Sequence, residues 1–293
     1  MPRQPQALIR ALRPHQWAKN ALLFLPALAA HVPWTGALAL TLLPGFVAFS
    51  LLASALYLFN DIHDLPHDRL HATKCRRPLA SGQLAVPFAT ATAVVLLVAS
   101  AAIAAGLPPA FRLSLAAYVV LNLAYTTGLR RLPMLDVIAL ATLYATRVVA
   151  GAALVGVPLS RWFVALSLFL FFSLALVKRV AELQALPEGA SGFVPGRSYV
   201  RADVPALLAL GAACTAASAL VYCLYVTGDE AGRLYRHPDV LWMGLPLLLY
   251  WQARIWLITG RGSMHDDPVA FTLRDRASYA VLGAFLAMLF AAT

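Results

Sequence analysis

Apolar runs close to 20 residues long recur from one end of this 293-residue chain to the other, and that recurrence leaves few folds open. A helix needs about 20 residues to cross the hydrocarbon of a bilayer, and only helices or closed barrels satisfy their backbone there. Nine candidate spans are read at residues 18–31, 38–60, 84–106, 109–129, 133–155, 160–184, 203–227, 237–259 and 274–292. They are rich in Leu and Ala and too long for barrel strands, so the expected fold is all-α and membrane-embedded. A water-soluble globule is excluded, because 61% hydrophobic and 12% charged residues leave too few polar groups to cover one. With no soluble insertion or long linker between spans, residues 1–293 read as a single domain.

Charge orients the spans. Of 23 Lys and Arg, eighteen fall on the side of the N-terminus, four (Arg112, Arg161, Arg233, Arg236) on the other, and Arg147 lies inside the fifth span. That bias places the N-terminus in the cytoplasm and, across an odd number of spans, the C-terminus outside. The expected location is the cell inner (plasma) membrane, multi-pass. The net charge of +10 follows largely from the same bias, although a basic face also favours anionic substrates and leaflet lipids. Membrane lipids are expected partners and nucleic acid is not. Residues 1–19, basic and containing Trp17, read as an interfacial anchor and not as a removable signal. Cys75, Cys214 and Cys223 have no metal-ligand spacing and read as apolar filling.

The chain has only 13 acidic residues, and three of them gather where the second span ends, in Asn60-Asp61-Ile62-His63-Asp64-Leu65-Pro66-His67-Asp68-Arg69. If helix continues past the span, Asp61, Asp64 and Asp68 share a face at i, i+3, i+7, with Asn60 one turn from Asp64. Convergent oxygens of this kind suit Mg2+, which is usually held by one or two carboxylates plus substrate phosphates. Pro66 removes the bond to the Ile62 carbonyl and disfavours helix at Leu65, which puts Asp68 on a separate turn. The plain alternative is a solvated loop with an Asp cap. His63, His67 and His71 repeat every four residues, but the Glu that a catalytic zinc helix carries between its histidines is missing, so magnesium is favoured. Lys74 and Arg77 follow closely enough to bind phosphate oxygens of the same ligand, while Arg76 reads as an orientation charge.

Arg147 is a charge that insertion bias does not explain, and it is a functional candidate for that reason. Asp136 stands three turns earlier on the same face, too far for a direct bridge, so a phosphate or another span is the expected link; a buried pair with a different helix is the alternative. Lys178, Arg179 and Glu182 close the sixth span, either as an ordinary helix-end pair (Lys178 with Glu182) or as cations for a second phosphate opposite the Asp cluster. Asp266-Asp267-Pro268 precedes the last span, with Asp267 as N-cap and Pro268 at the first helical position.

The pattern Asn60-Asp61-x-x-Asp64-x-x-x-Asp68, followed by Arg77-Pro78-x-Ala80-Ser81-Gly82, resembles the UbiA superfamily of intramembrane prenyltransferases over essentially the whole chain. Arg13-Pro14-x-Gln16-Trp17-x-Lys19-Asn20, Asp68-Arg69-x-His71-x-x-Lys74, Asp136 with Arg147, and Lys178-Arg179-x-x-Glu182 are most similar to its decaprenyl-phosphate phosphoribosyltransferase branch. The resemblance implies helices around a central cavity open to the cytoplasm and transfer of 5-phosphoribosyl from phosphoribosyl diphosphate to a polyprenyl phosphate. It implies Mg2+ on Asn60, Asp61, Asp64 and Asp68, with the three aspartates catalytic. Lys19, Lys74, Arg77, Arg147, Lys178 and Arg179 would bind phosphate, supported by Tyr125, Asp136 and Glu182. Two positions depart from pattern. Lys178, Arg179 and Glu182 stand where ring-prenylating relatives usually carry a second aspartate-rich motif, and Cys75 replaces a usual basic residue. Transfer of an isoprenyl chain from its diphosphate to an aromatic or small lipid acceptor is the alternative, and a transporter is a third reading, disfavoured because all ionisable clusters except Arg147 lie at one membrane edge.

Overall fold

The structure is a computed structural model that describes residues 4–70, 73–186, 198–264, 267–272 and 274–293. Among these the chain is helical, with no strand: α1 (Gln4–Leu12), a 3-10 helix (Pro14–Phe24), α2 (Leu25–Ala29), α3 (Gly36–His63), α4 (Leu65–Leu70), α5 (Val86–Ala105), α6 (Pro109–Thr127), α7 (Leu135–Val155), α8 (Arg161–Gln184), α9 (Val204–Val226), α10 (Asp229–Leu234), α11 (Gly244–Gly260), α12 (Pro268–Thr272) and α13 (Arg276–Ala292). The all-α expectation holds, and five of the nine expected spans stand out as long apolar helices. Among the described residues, five helices are long and apolar enough to cross a membrane: Gly36–His63, Val86–Ala105, Leu135–Val155, Arg161–Gln184 and Arg201–Val226. The remaining four expected segments are helical but shorter, broken or more polar. α11 and α13 have 17 residues each, α6 carries Arg112 and Asn122, and the first expected span is the 3-10 helix followed by one turn of α2.

Two compact units form, Met1–Thr126 with Thr146–Val157, and Thr127–Ala145 with Pro158–Thr293. In the first, Ala11 of α1, Ala55 and Leu58 of α3, Leu79 and Leu84 of the connecting loop, and Ala89 and Ala93 of α5 make one buried cluster. The outer face of α5 leaves Val94, Val95 and Val98 exposed, as a helix turned to hydrocarbon should.

The 3-10 helix is explained by what it packs against. Side chains three apart on a 3-10 helix eclipse at about 6 Å, the same rise as four residues of α-helix. Accordingly the Trp17 indole donates to Ser54 Oγ at 2.9 Å and Asn20 Nδ2 donates to Ser50 Oγ at 3.0 Å, an antiparallel ladder along α3. Ser54 in turn donates to the Leu12 carbonyl. Gly151 of α7 lets this strap lie close, since a Cβ there would fall 2.2 Å from the Leu23 carbonyl oxygen.

In the second unit, Val137, Ala175, Leu176, Val180, Leu183, Tyr199, Leu207 and Cys214 form one core. Tyr222, Val226, Ala231, Tyr235, Leu241, Met288 and Ala292 form another. Asp267 does cap a helix, Oδ1 accepting from Val269 N–H, but that helix is the short α12; the last span is capped by Asp275, which accepts from Ser278 N–H at 2.8 Å. Burial raises the Asp275 carboxyl somewhat, and hydrogen bonds from Arg254 and Ser278 outweigh it, holding the group below the usual range. Asp266 and His71 lie outside the described residues.

Candidate active site

The acidic cluster is built on a helix that bends once. α3 runs to His63, Asp64 N–H still bonds the Asn60 carbonyl, and the Asp64 carbonyl accepts from both His67 and Asp68 N–H as α4 begins. Pro66 therefore sits in the first turn of α4, where a missing N–H costs nothing, and Asp68 lies on that separate turn. Asp61 and Asp68 are buried, at 2% and 3% exposure.

Arg77 joins them. Its Nη1 donates to Asp61 Oδ1 at 3.2 Å and to Asp68 Oδ2 at 2.6 Å. The loop that delivers it is pinned from within: Leu79 plugs the first unit's core, Ser81 N–H and Oγ both donate to the Arg77 carbonyl, Leu84 N–H reaches the Pro78 carbonyl, and Gly82 takes a left-handed φ of +74° that a side chain would strain. The Arg-Pro-x-Ala-Ser-Gly run is thus a turn that presents one guanidinium to two carboxylates. A second guanidinium arrives from the strap, Arg13 Nη2 donating to the same Asp61 Oδ1 at 2.5 Å. Asp61 Oδ2 is buried and has no hydrogen-bond partner among the described residues.

Asn60 is held differently. Its Oδ1 accepts from Thr126 Oγ1 at 2.6 Å and its amide reaches Asn122 Oδ1 at 3.5 Å. Deeper in the same unit, Arg147 Nε donates to Asn20 Oδ1 at 2.9 Å and Nη2 to the Tyr118 hydroxyl at 2.8 Å, with the guanidinium over the rings of Phe49 and Tyr118. These partners are neutral, and they come from the strap, α3 and α6 rather than from α7 itself. Asn20 is fixed between α3 and α7, and with it the strap. Tyr118, Asn122 and Thr126 recur every four residues on α6, and this polar stripe in an apolar helix is the signal that sequence reasoning passed over. Asp64, Lys19, Lys74 and Tyr125 are half-buried in this unit.

In the second unit Asp136 is fully buried. Arg179 Nε donates to its Oδ2 at 2.6 Å and the Tyr199 hydroxyl to its Oδ1 at 2.6 Å, while Tyr199 itself accepts from Met134 N–H. Arg179 Nη1 also donates to Glu182. Burial first, then donation to Asp136, drives the Tyr199 phenol above its ordinary range, so it stays a donor. Lys178 reaches Asp267 Oδ2 at 3.4 Å.

The oxygen donors of the cluster are of the kind a hard cation takes. Among the described residues no three Asp, Glu, His or Cys side chains gather into an all-protein metal cage, and His63 and His67 are exposed. A hard cation that needs one or two carboxylates, water and substrate phosphate fits, and the buried Asp61 Oδ2 is an oxygen suited to it.

Apolar spans and a carboxylate–arginine cluster at the end of one of them define an integral membrane protein with a polar site at the membrane edge. The sequence pattern of the UbiA prenyltransferase family matches residues 21–271, and the chain belongs to that family. It is 35% identical over 280 residues to protein y4nM of Sinorhizobium fredii, covering 95% of this chain and 54% of that protein, so it spans about half the length of that relative. It is 32% identical over 280 residues to the decaprenyl-phosphate phosphoribosyltransferase of Mycolicibacterium smegmatis, covering 92% and 86%. The fold is that of a UbiA homolog from Archaeoglobus fulgidus bound to GPP and Mg2+, with a TM-score of 0.71, 18% identity and coverage of 98% and 99%.

Proposed function

We propose that this chain is a Mg2+-dependent transferase that moves 5-phosphoribosyl from phosphoribosyl diphosphate to a polyprenyl phosphate. The observation that carries the reading is Asp61, a buried carboxylate with two guanidiniums on one oxygen and no hydrogen-bond partner on the other. Mg2+ held by Asp61 together with water and diphosphate oxygens, with Asn60, Asp64 and Asp68 as the neighbouring oxygen donors, would neutralise charge on the departing diphosphate. Arg77 and Lys74 bind diphosphate oxygens in this scheme, and Lys19 extends the basic rim from the strap. Arg147 acts by position, holding Asn20 and hence the strap, and Tyr125 supports the α6 face beside Asn60. Lys178, half-exposed, is the cation for the second phosphate; Arg179, engaged with Asp136 and Glu182, fixes the helix that presents it. The acceptor phosphate is already an anion, so attack on the anomeric carbon requires no general base. The similarity to a decaprenyl-phosphate phosphoribosyltransferase supports this donor and acceptor. We further propose that residues 1–293 act as one catalytic domain in the inner (plasma) membrane, N-terminus in the cytoplasm and C-terminus outside.

Membranes containing the chain, given labelled phosphoribosyl diphosphate, Mg2+ and polyprenyl phosphate, are expected to yield a labelled lipid. Asp61→Asn should lower that turnover by about 10²- to 10³-fold, the loss typical of removing one transition-state electrostatic contact. No labelled lipid from this donor, with product from an isoprenyl diphosphate instead, would transfer the assignment to prenyl transfer.

A further inference from the structure

Arg13 is the most strained residue of the acidic site. It has φ +53° and ψ +54°, left-handed geometry that a Cβ-bearing residue rarely adopts, and the following Pro14 disfavours the helical regions for it as well. Conformations of this kind are unfavourable and persist where the surroundings impose them. Here the surroundings are the ladder of Trp17 and Asn20 on α3, which fixes the start of the strap, and the Tyr57 ring, 5.2 Å below the guanidinium. The result is that Arg13 shares Asp61 Oδ1 with Arg77, although Arg77 already bridges Asp61 to Asp68.

Formal charge shows what a second guanidinium does. Arg13 and Arg77 offset the charges of Asp61 and Asp68 and leave Asp64 as the remaining carboxylate, so a bare divalent cation coming to Asp61 Oδ2 is attracted only weakly and meets two positive groups on the same carboxylate. A divalent cation that arrives with a diphosphate brings negative charge, which those guanidiniums favour. We infer that Arg13 makes metal binding at Asp61 conditional on the diphosphate of the donor, a specificity-determining role that rests on the proposed function. The metal then enters with its donor, and Arg13 passes from Asp61 towards the phosphate oxygens.

The test is titration of free Mn2+ by electron paramagnetic resonance on the purified full chain, with and without inorganic diphosphate. Wild type should bind Mn2+ weakly alone and more tightly with diphosphate. Arg13→Gly, which accepts the left-handed backbone and so keeps the strap, should bind bare Mn2+ up to about tenfold tighter, the scale of one unit charge a few ångströms from a divalent ion at a wet site. It should also lose most of the gain from diphosphate, whereas Arg13→Lys should resemble wild type. Thermal unfolding checks that the strap is intact in each variant, with Arg13→Asn as a second substitution that tolerates this backbone. Unchanged or weaker bare Mn2+ binding in folded Arg13→Gly would overturn the inference and leave the proposed function standing. Equal Mn2+ binding by wild type and Asp61→Asn would instead remove the metal site, and both would fall.

Discussion

Asp61 and Asp136 are both buried aspartates joined to arginine, yet they are finished differently. At Asp136 every direction is used: Arg179 takes Oδ2, Tyr199 takes Oδ1, Met134 N–H supplies Tyr199, and acid and guanidinium alike are shielded from solvent. At Asp61 two arginines crowd one oxygen, the other has no hydrogen-bond partner, and both arginines keep about a quarter of their side chains exposed. A buried pair with all its bonds made is a structural lock, whereas a buried carboxylate left half-satisfied beside reachable cations is built to receive a ligand. The contrast also separates the cations, since Arg179 bonds Asp136 and Glu182 while Arg13 and Arg77 meet on one oxygen of Asp61.

Arg179→Met is the strongest way to break this contrast. It leaves Asp136 charged, buried and short of its main partner, which should cost about 3–5 kcal/mol. In detergent, thermal unfolding of the variant should fall steeply or the protein should aggregate. Asp61→Asn, in comparison, should unfold within about 1 kcal/mol of wild type, because Arg77 retains Asp68 and the Asn oxygen can still accept from Arg13. Equal destabilisation by the two substitutions would mean that both clusters are structural.

Much of this division was open to sequence reading, and its limits have physical causes. The Asp61, Asp64, Asp68 spacing and the turn of Arg77 to Gly82 are local, so period and turn chemistry expose them directly. Pro66 marked the bend before Asp68. Lys178 and Arg179 are adjacent, and nothing in their order says that one turns inward to Asp136 while the other reaches Asp267, since that choice is made by residues 43 and 89 positions away. The 3-10 form of the strap is hidden from the sequence for a related reason. Its 3-10 register comes from Ser50 and Ser54 on another helix, and apolar content alone does not separate 3.0 from 3.6 residues per turn.

Gly151 tests the strap from the side of α7. A methyl there meets the backbone of Leu23 at 2.2 Å, and backbone cannot swing aside as a side chain can. Gly151→Ala should cost about 1–3 kcal/mol as an overpacking change. It should also lower turnover, because Arg13, Lys19 and Asn20 move with the strap. Gly211→Ala makes a useful control, since the nearest atoms its new methyl would meet belong to the Trp256 side chain, in the other unit. If the two alanines affect turnover alike, the strap has no special tie to the site.

A last substitution sharpens the lock itself. Tyr199→Phe removes the donor to Asp136 Oδ1 and leaves Met134 N–H without its acceptor, which should cost about 1–3 kcal/mol near neutral pH. The pH dependence follows from the raised phenol. In the unfolded chain Tyr199 ionises near pH 10, whereas in the fold burial and Asp136 keep it protonated to higher pH. A group raised on folding stabilises fully below its unfolded pKa and loses that contribution as pH climbs from there towards the folded value. The gap in unfolding temperature between wild type and Tyr199→Phe should thus be constant from pH 7 to 9 and narrow above about pH 10. A gap that instead widened with pH would show that the phenol does not act as the donor holding Asp136, and the second cluster would lose its claim to be closed.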